Sequence, residues 1–178
     1  MFSGKTTELI RLVDRKHIAG KKCVIIKHSM DQRYDGDCQM HVTTHSQYSY
    51  RNTDILSVGE LTEDLVNLLV NTKNVVAIEE GHFFPKLSYW CNYIANQGID
   101  VIVSALDGNY RQEPFEEVSK LSVLAENVNK LSAVCMRCRE LDGHFTIRTI
   151  DSEEQILVGG SDIYQSVCRR CLGEFRRN

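Results

Sequence analysis

The chain opens with a helical rhythm. Apolar residues at Leu9, Ile10, Val13 and Ile18 share one helical face, and Gly20 supplies a stop. Cys23-Val24-Ile25-Ile26 is then a short apolar run rich in β-branched residues, which predicts a buried strand. Residues 29–54 are polar and carry little period, so they read as an extended excursion with at most a weak hairpin, a kind of long loop often used for function. Helical spacing returns at Leu61, Leu65, Leu68 and Leu69, and Val75-Val76-Ala77-Ile78 predicts a second buried strand that runs into Glu79 and Glu80. A helix starting at Pro85 and stopping at Gly98, a strand at Val101-Ile102-Val103, a helix over 116–128 and a strand over 130–134 complete this part.

Strand and helix alternate throughout it, the pattern of a parallel sheet with both faces covered. After Val134 the character changes. Cys135-Met136-Arg137-Cys138 leads to alternating Phe145-Thr146-Ile147-Arg148, then Gly159-Gly160, then Cys168-Arg169-Arg170-Cys171. The expected division is an α/β domain over 1–134 and a β-rich knuckle over 135–178, which is too small to hold itself together without a staple.

Composition narrows the function. Twenty-one basic residues stand against 24 acidic ones, net −3, so no electrostatic footprint supports a nucleic-acid partner. Apolar runs fall far short of the roughly 20 residues a membrane span needs, and no secretory leader is visible, so a soluble cytoplasmic protein is expected. Four of the seven cysteines form two C-x-x-C pairs; the odd total and the clustering favour metal binding in a reducing compartment over disulfides.

Three motifs carry chemistry. Ser3-Gly4-Lys5-Thr6 is the back half of G-x-x-x-x-G-K-[ST], in which glycine lets backbone N–H groups converge on phosphate, lysine adds a mobile cation, and threonine offers a hydroxyl to Mg²⁺. The first glycine of that pattern would lie two residues before Met1, so the reading expects a clipped start. Glu79 and Glu80 end a buried strand, as a solvated terminus or as a working pair. Adjacent strand residues face opposite ways, so the two can share a site only if the chain bends. One carboxylate would then orient metal and the other act as general base. Cys135, Cys138, Cys168 and Cys171 can supply four thiolates to one tetrahedral Zn²⁺, a closed and therefore structural site. Cys23 and Cys91 read as packing residues, and Cys38 has no assigned role.

Together, M-F-S-G-K-T-T-E-L, I-E-E-G-H-F-F over 78–84, S-A-L-D-G-N-Y over 104–110 with Glu113-Pro114-Phe115, and the two cysteine knuckles resemble, in order, the type II thymidine kinase family. The resemblance covers nearly the whole chain. It implies a P-loop NTPase-like parallel sheet flanked by helices, plus a small β-rich zinc-binding subdomain, and transfer of the γ-phosphate of ATP to thymidine. Ser3, Gly4, Lys5 and Thr6 would hold ATP phosphates; Asp31 and Arg33 match the family's D-x-R near phosphate and metal; Thr6 and Glu79 would serve Mg²⁺. Glu80 would be the general base on the 5′-hydroxyl. Met1, His82, Phe83, Leu106, Tyr110 and Phe115 would surround the nucleoside, and Gln155, Ile156, Leu157, Val158, Gly159 and Tyr164 would form a lasso contacting the base largely through backbone groups.

Glu79 stands where the family usually has Asp, and His82 where Gln is commoner. The active role of Arg111 on the moving phosphoryl group stays open against a solvated loop arginine. Family members are commonly homotetramers under feedback from thymidine triphosphate. The rival readings are a P-loop zinc-ribbon protein that binds nucleic acid, a non-catalytic relative, and a kinase of altered base preference.

Overall fold

The computed structural model describes residues 2–30, 42–43, 49–50, 53–150 and 163–177. Its elements in chain order are α1 (Lys5–Ile18), β1 (Cys23–His28), β2 (Val42–Thr43), β3 (Ser49–Tyr50), β4 (Asp54–Val58), α2 (Glu63–Thr72) and β5 (Val75–Ile78). A 3₁₀ turn over Gly81–Phe83 leads to α3 (Leu87–Asn96), β6 (Asp100–Val103) and α4 (Glu116–Leu124). The cysteine-rich part holds β7 (Ala133–Val134), β8 (Asp142–Gly143), β9 (Phe145–Arg148), β10 (Tyr164–Val167) and α5 (Arg169–Arg177).

Four strands form a parallel sheet in the order β4-β1-β5-β6. The central strands β1 and β5 are buried on both faces, and their alternation sorts side chains to two cores. Leu9, Ile10 and Val13 of α1 pack on Cys23, Ile25, Val75 and Ala77. On the opposite face, Val24, Ile26, Val76 and Ile78 meet Val66 and Leu69 of α2 and Leu87, Cys91 and Ile94 of α3. Helices therefore flank both faces, as the alternation predicts. Cys23 and Cys91 are buried within these cores.

Element ends follow local chemistry. The Thr62 hydroxyl accepts from the Leu65 N–H at 3.3 Å and caps α2, whose first turn carries Glu63 and Asp64 toward the positive end of the helix. At the start of α3, Glu117 of α4 accepts from both the N–H and the hydroxyl of Ser88, a cap supplied by a neighbouring helix.

One strand and several boundaries differ from the sequence reading. β4 joins the sheet edge just where the polar excursion ends; with two of its five residues exposed, it lacks the continuous apolar run that marked β1 and β5. α3 starts at Leu87, because Lys86 takes a left-handed conformation (φ 54°) after Pro85. α4 stops at Leu124, where Ala125 turns extended and Val128 is exposed, so no burial holds another turn. The strand expected over 130–134 shrinks to β7, paired with β8. The weak hairpin is present as the antiparallel pair β2–β3.

Candidate active site and cysteine cluster

The phosphate loop and the acidic strand end meet at the carboxyl edge of the sheet. Gly4 caps α1 in a left-handed conformation (φ 77°), which glycine adopts without steric cost. The helix that follows presents unsatisfied N–H groups and its positive end to the loop. From across the sheet, Glu79 reaches Thr6: the threonine Oγ1 donates to Glu79 Oε1 at 2.6 Å. The hydroxyl and the carboxylate proposed from sequence for the same cation are thus in direct contact.

The chain bends between the two acids. Glu79 still follows the ladder, its N–H donating to the Ile26 carbonyl at 2.8 Å. Glu80 then turns left-handed (φ 49°, ψ 45°), a conformation costing a non-glycine residue about 1–3 kcal/mol and typical of functional positions. Gly81 N–H donates to the Ser104 carbonyl at 2.8 Å and locks the turn against β6. Both acids are buried, at 5% and 6% exposure, yet Glu80 lines a cavity of about 320 Å³ with Phe2, Ser3, Gly4, Lys5, Thr6 and Thr7. Phe2 and Thr7 are additions to the residues read from sequence; flanking the motif was their only signal.

Gly81 is required by space. A Cβ there would lie 2.7 Å from Val103 Cγ1 and 3.2 Å from Leu87 Cδ2. Gly81→Ala is expected to destabilise the fold by about 1–3 kcal/mol in denaturant unfolding, as overpacked core sites do. Unfolding at the wild-type midpoint would contradict that packing.

Beside Glu80 lies an aromatic wall. The His82 Nδ1 accepts from the Leu106 N–H at 3.3 Å and sits 3.5 Å from Glu80 Oε2. Its ring packs against Phe83 (centroids 4.2 Å) and Phe115 (4.8 Å). Leu106, His82, Phe83 and Phe115 therefore stand together next to the phosphate loop.

Tyr110 belongs to a tight loop in which Asn109 Oδ1 accepts from the N–H groups of Arg111 and Glu113. Tyr164, at the start of β10, lies with Tyr110 about a shared arginine, Arg148. Met1, Asp31, Arg33, Gln155, Ile156, Leu157, Val158, Gly159 and the unassigned Cys38 lie outside the described residues.

The cysteines converge. The Sγ atoms of Cys135, Cys138, Cys168 and Cys171 all lie within 4.8 Å of one another, with Cys138 and Cys168 at 3.9 Å. Short antiparallel pairs, β7–β8 and β9–β10, hold the two knuckles, and Ser166 ties them by donating its hydroxyl to the Val134 carbonyl. α5 starts directly after Cys168, a helix that periodicity did not expose. Burial would raise the Cys135 thiol, but N–H donors from Cys138, Cys168 and Arg137 outweigh it and bring it down to about 6. Cys171 is pushed up to about 12 by burial and by the neighbouring sulfurs. The Cys138 thiol is lowered as well, by the N–H groups of Glu140 and Leu141, so thiolate forms more readily at Cys135 and Cys138 than at Cys171. Four clustered sulfurs fit Zn²⁺ by number and donor type.

Comparison with known proteins agrees with this geometry. The family model described as thymidine kinase matches residues 1–172. The thymidine kinase of Acanthamoeba polyphaga mimivirus is 52% identical over 99% of this chain and 80% of its own length. That of rabbit fibroma virus is 44% identical over 96% of this chain and 90% of its own. The vaccinia virus (strain Western Reserve) enzyme is 41% identical over 96% and 91%. With a phosphate loop, a strand-end acid pair and a four-cysteine cluster in the matched order, this chain belongs to the thymidine kinase family.

Proposed function

We propose that this protein transfers the γ-phosphate of ATP to the 5′-hydroxyl of thymidine, with deoxyuridine also accepted. The observation that carries the reading is the shared cavity: Glu80 and the glycine-lysine turn line the same space, and the His82–Phe115 wall stands beside them. In phosphoryl transfer the protein mainly positions reactants and neutralises charge. Lys5 and the loop amides bind the triphosphate, and Asp31 and Arg33 are assigned to the same end by resemblance. Glu80 accepts the proton of the 5′-hydroxyl and aims its oxygen. Leu106, Phe83, Phe115, Tyr110 and Met1 cover the base, with His82 at the edge nearest Glu80. The segment 155–159 with Tyr164 reads the polar edge of the base.

Thr6 and Glu79, already in contact, would hold Mg²⁺, whose charge offsets that of the phosphates when bound. The longer arm of glutamate, compared with aspartate, keeps the carboxylate within reach of Thr6. Cys135, Cys138, Cys168 and Cys171 would hold Zn²⁺, which staples the small module and takes no part in chemistry. Feedback by thymidine triphosphate and a homotetrameric assembly rest on the resemblance alone, and a cytoplasmic location on the short apolar runs and the cysteine pattern of the sequence. No helix among the described residues is long and apolar enough to cross a membrane.

The deciding experiment measures ADP release with ATP and Mg²⁺ against thymidine, deoxyuridine and deoxycytidine. Thymidine and deoxyuridine are expected to turn over and deoxycytidine to be rejected. No turnover of any nucleoside would overturn the reading, and preferred turnover of deoxycytidine would replace its substrate.

A further inference from the structure

One charged side chain in the cysteine-rich module is buried and takes no part in the chemistry above. Arg148, the last residue of β9, is 5% exposed. A guanidinium loses its water at considerable cost unless its surroundings replace it. Among the described residues, two tyrosines face it. The Arg148 Cζ lies 3.9 Å from the centroid of the Tyr110 ring, close enough to stack, and 5.3 Å from that of Tyr164. Its Nη2 donates to the Tyr164 hydroxyl at 2.9 Å. Arg148 and Tyr164 also sit directly opposite each other in the β9–β10 ladder.

Tyr110 comes from elsewhere in the fold, the loop between β6 and α4. Its hydroxyl accepts from Arg111 Nε at 2.9 Å, so ring face and hydroxyl are both held by arginines. A second strut meets the same loop: Arg176, near the end of α5, donates to the Arg111 carbonyl at 3.4 Å. The cysteine-rich module therefore grips this loop from β9 and from α5. In sequence, Arg148 and Tyr164 bracket the segment assigned to the base, while Tyr110 is assigned to the nucleoside wall.

We infer that Arg148 is a positioning residue for nucleoside binding: its guanidinium clamps the β9–β10 hairpin to the Tyr110 loop and sets the spacing between the two walls that close on the base. The inference rests on the nucleoside kinase reading proposed above. A planar guanidinium suits the task because it stacks on one ring while its N–H edge reaches the hydroxyl of the other. Lysine offers a point charge without the plane.

The test compares wild type, Arg148→Met, Arg148→Lys, Tyr164→Phe and the Arg148→Met/Tyr164→Phe double variant. Each is scored for the KM of thymidine, the KM of ATP, kcat and bound zinc. In Arg148→Met the thymidine KM is expected to rise about 10- to 100-fold, while the ATP KM and the zinc content stay put. Arg148→Lys should fall between it and wild type. Tyr164→Phe should raise the thymidine KM in the wild-type background but add no more than about twofold on top of Arg148→Met, since coupled residues are non-additive.

A thymidine KM within about twofold of wild type in Arg148→Met would overturn the inference, as would full additivity in the double variant. If Arg148→Met does not fold, Arg148→Lys decides the same question: a rise confined to the thymidine KM supports the clamp, and equal rises in both KM values would mean a merely structural role. Wild type without thymidine turnover would instead sink the kinase reading, a result distinct from active wild type with unaffected variants.

Discussion

Glu80→Gln is expected to lower kcat by about 100- to 10,000-fold, the range for removing a positioned general base. Glutamine has nearly the shape of glutamate and keeps an acceptor oxygen, so the left-handed turn at Glu80 and its place in the cavity survive. It cannot take up a proton. The thymidine KM should change little, because the aromatic groups proposed to cover the base are untouched. Steady-state kinetics with thymidine and ATP decide the matter: near-wild-type kcat would remove Glu80 from the reaction, and a large rise in KM alone would make it a binding group.

The second large effect follows from the sulfur cluster. The module's own core comprises Cys135, Ile147, Val167, Cys168, Cys171 and Leu172, so half of it is the cluster itself. So small a core does not stabilise a fold unaided, and structural zinc contributes about 10–16 kcal/mol of apparent binding energy in comparable modules. Cys168→Ser, or a strong chelator, is expected to release about one zinc per chain and abolish thymidine turnover. With the module unfolded, both Tyr164 and the Arg148 clamp are lost. Metal analysis on purified protein checks the stoichiometry, and the kinase assay run alongside checks the link. Zinc-free protein with full activity would refute the stapling role.

Much of this was legible in the residues. The runs Cys23-Val24-Ile25-Ile26 and Val75-Val76-Ala77-Ile78 announced the two central strands, because strands buried on both faces must be apolar without interruption. The glycine-lysine-threonine turn and the paired C-x-x-C knuckles were equally plain, since each is a local pattern of fixed spacing that can be read from a few neighbouring residues. β4 was not, because an edge strand half in water has no such signature. The end of α4 was missed because periodicity continues through Val128 while burial does not.

What the order of amino acids determined by itself was the set of parts: alternating strand and helix, a glycine-lysine turn, two adjacent acids and two cysteine pairs. Only the tertiary structure decided how they meet. It set the bend that parts Glu79 from Glu80, the hydroxyl of Thr6 against a carboxylate 73 residues away, and the burial of Arg148 between tyrosines from two separate parts of the fold. The division has a physical basis. Backbone preference and ion-binding spacing act over a few neighbours, whereas burial and long-range contact depend on which surfaces the packed sheet brings together.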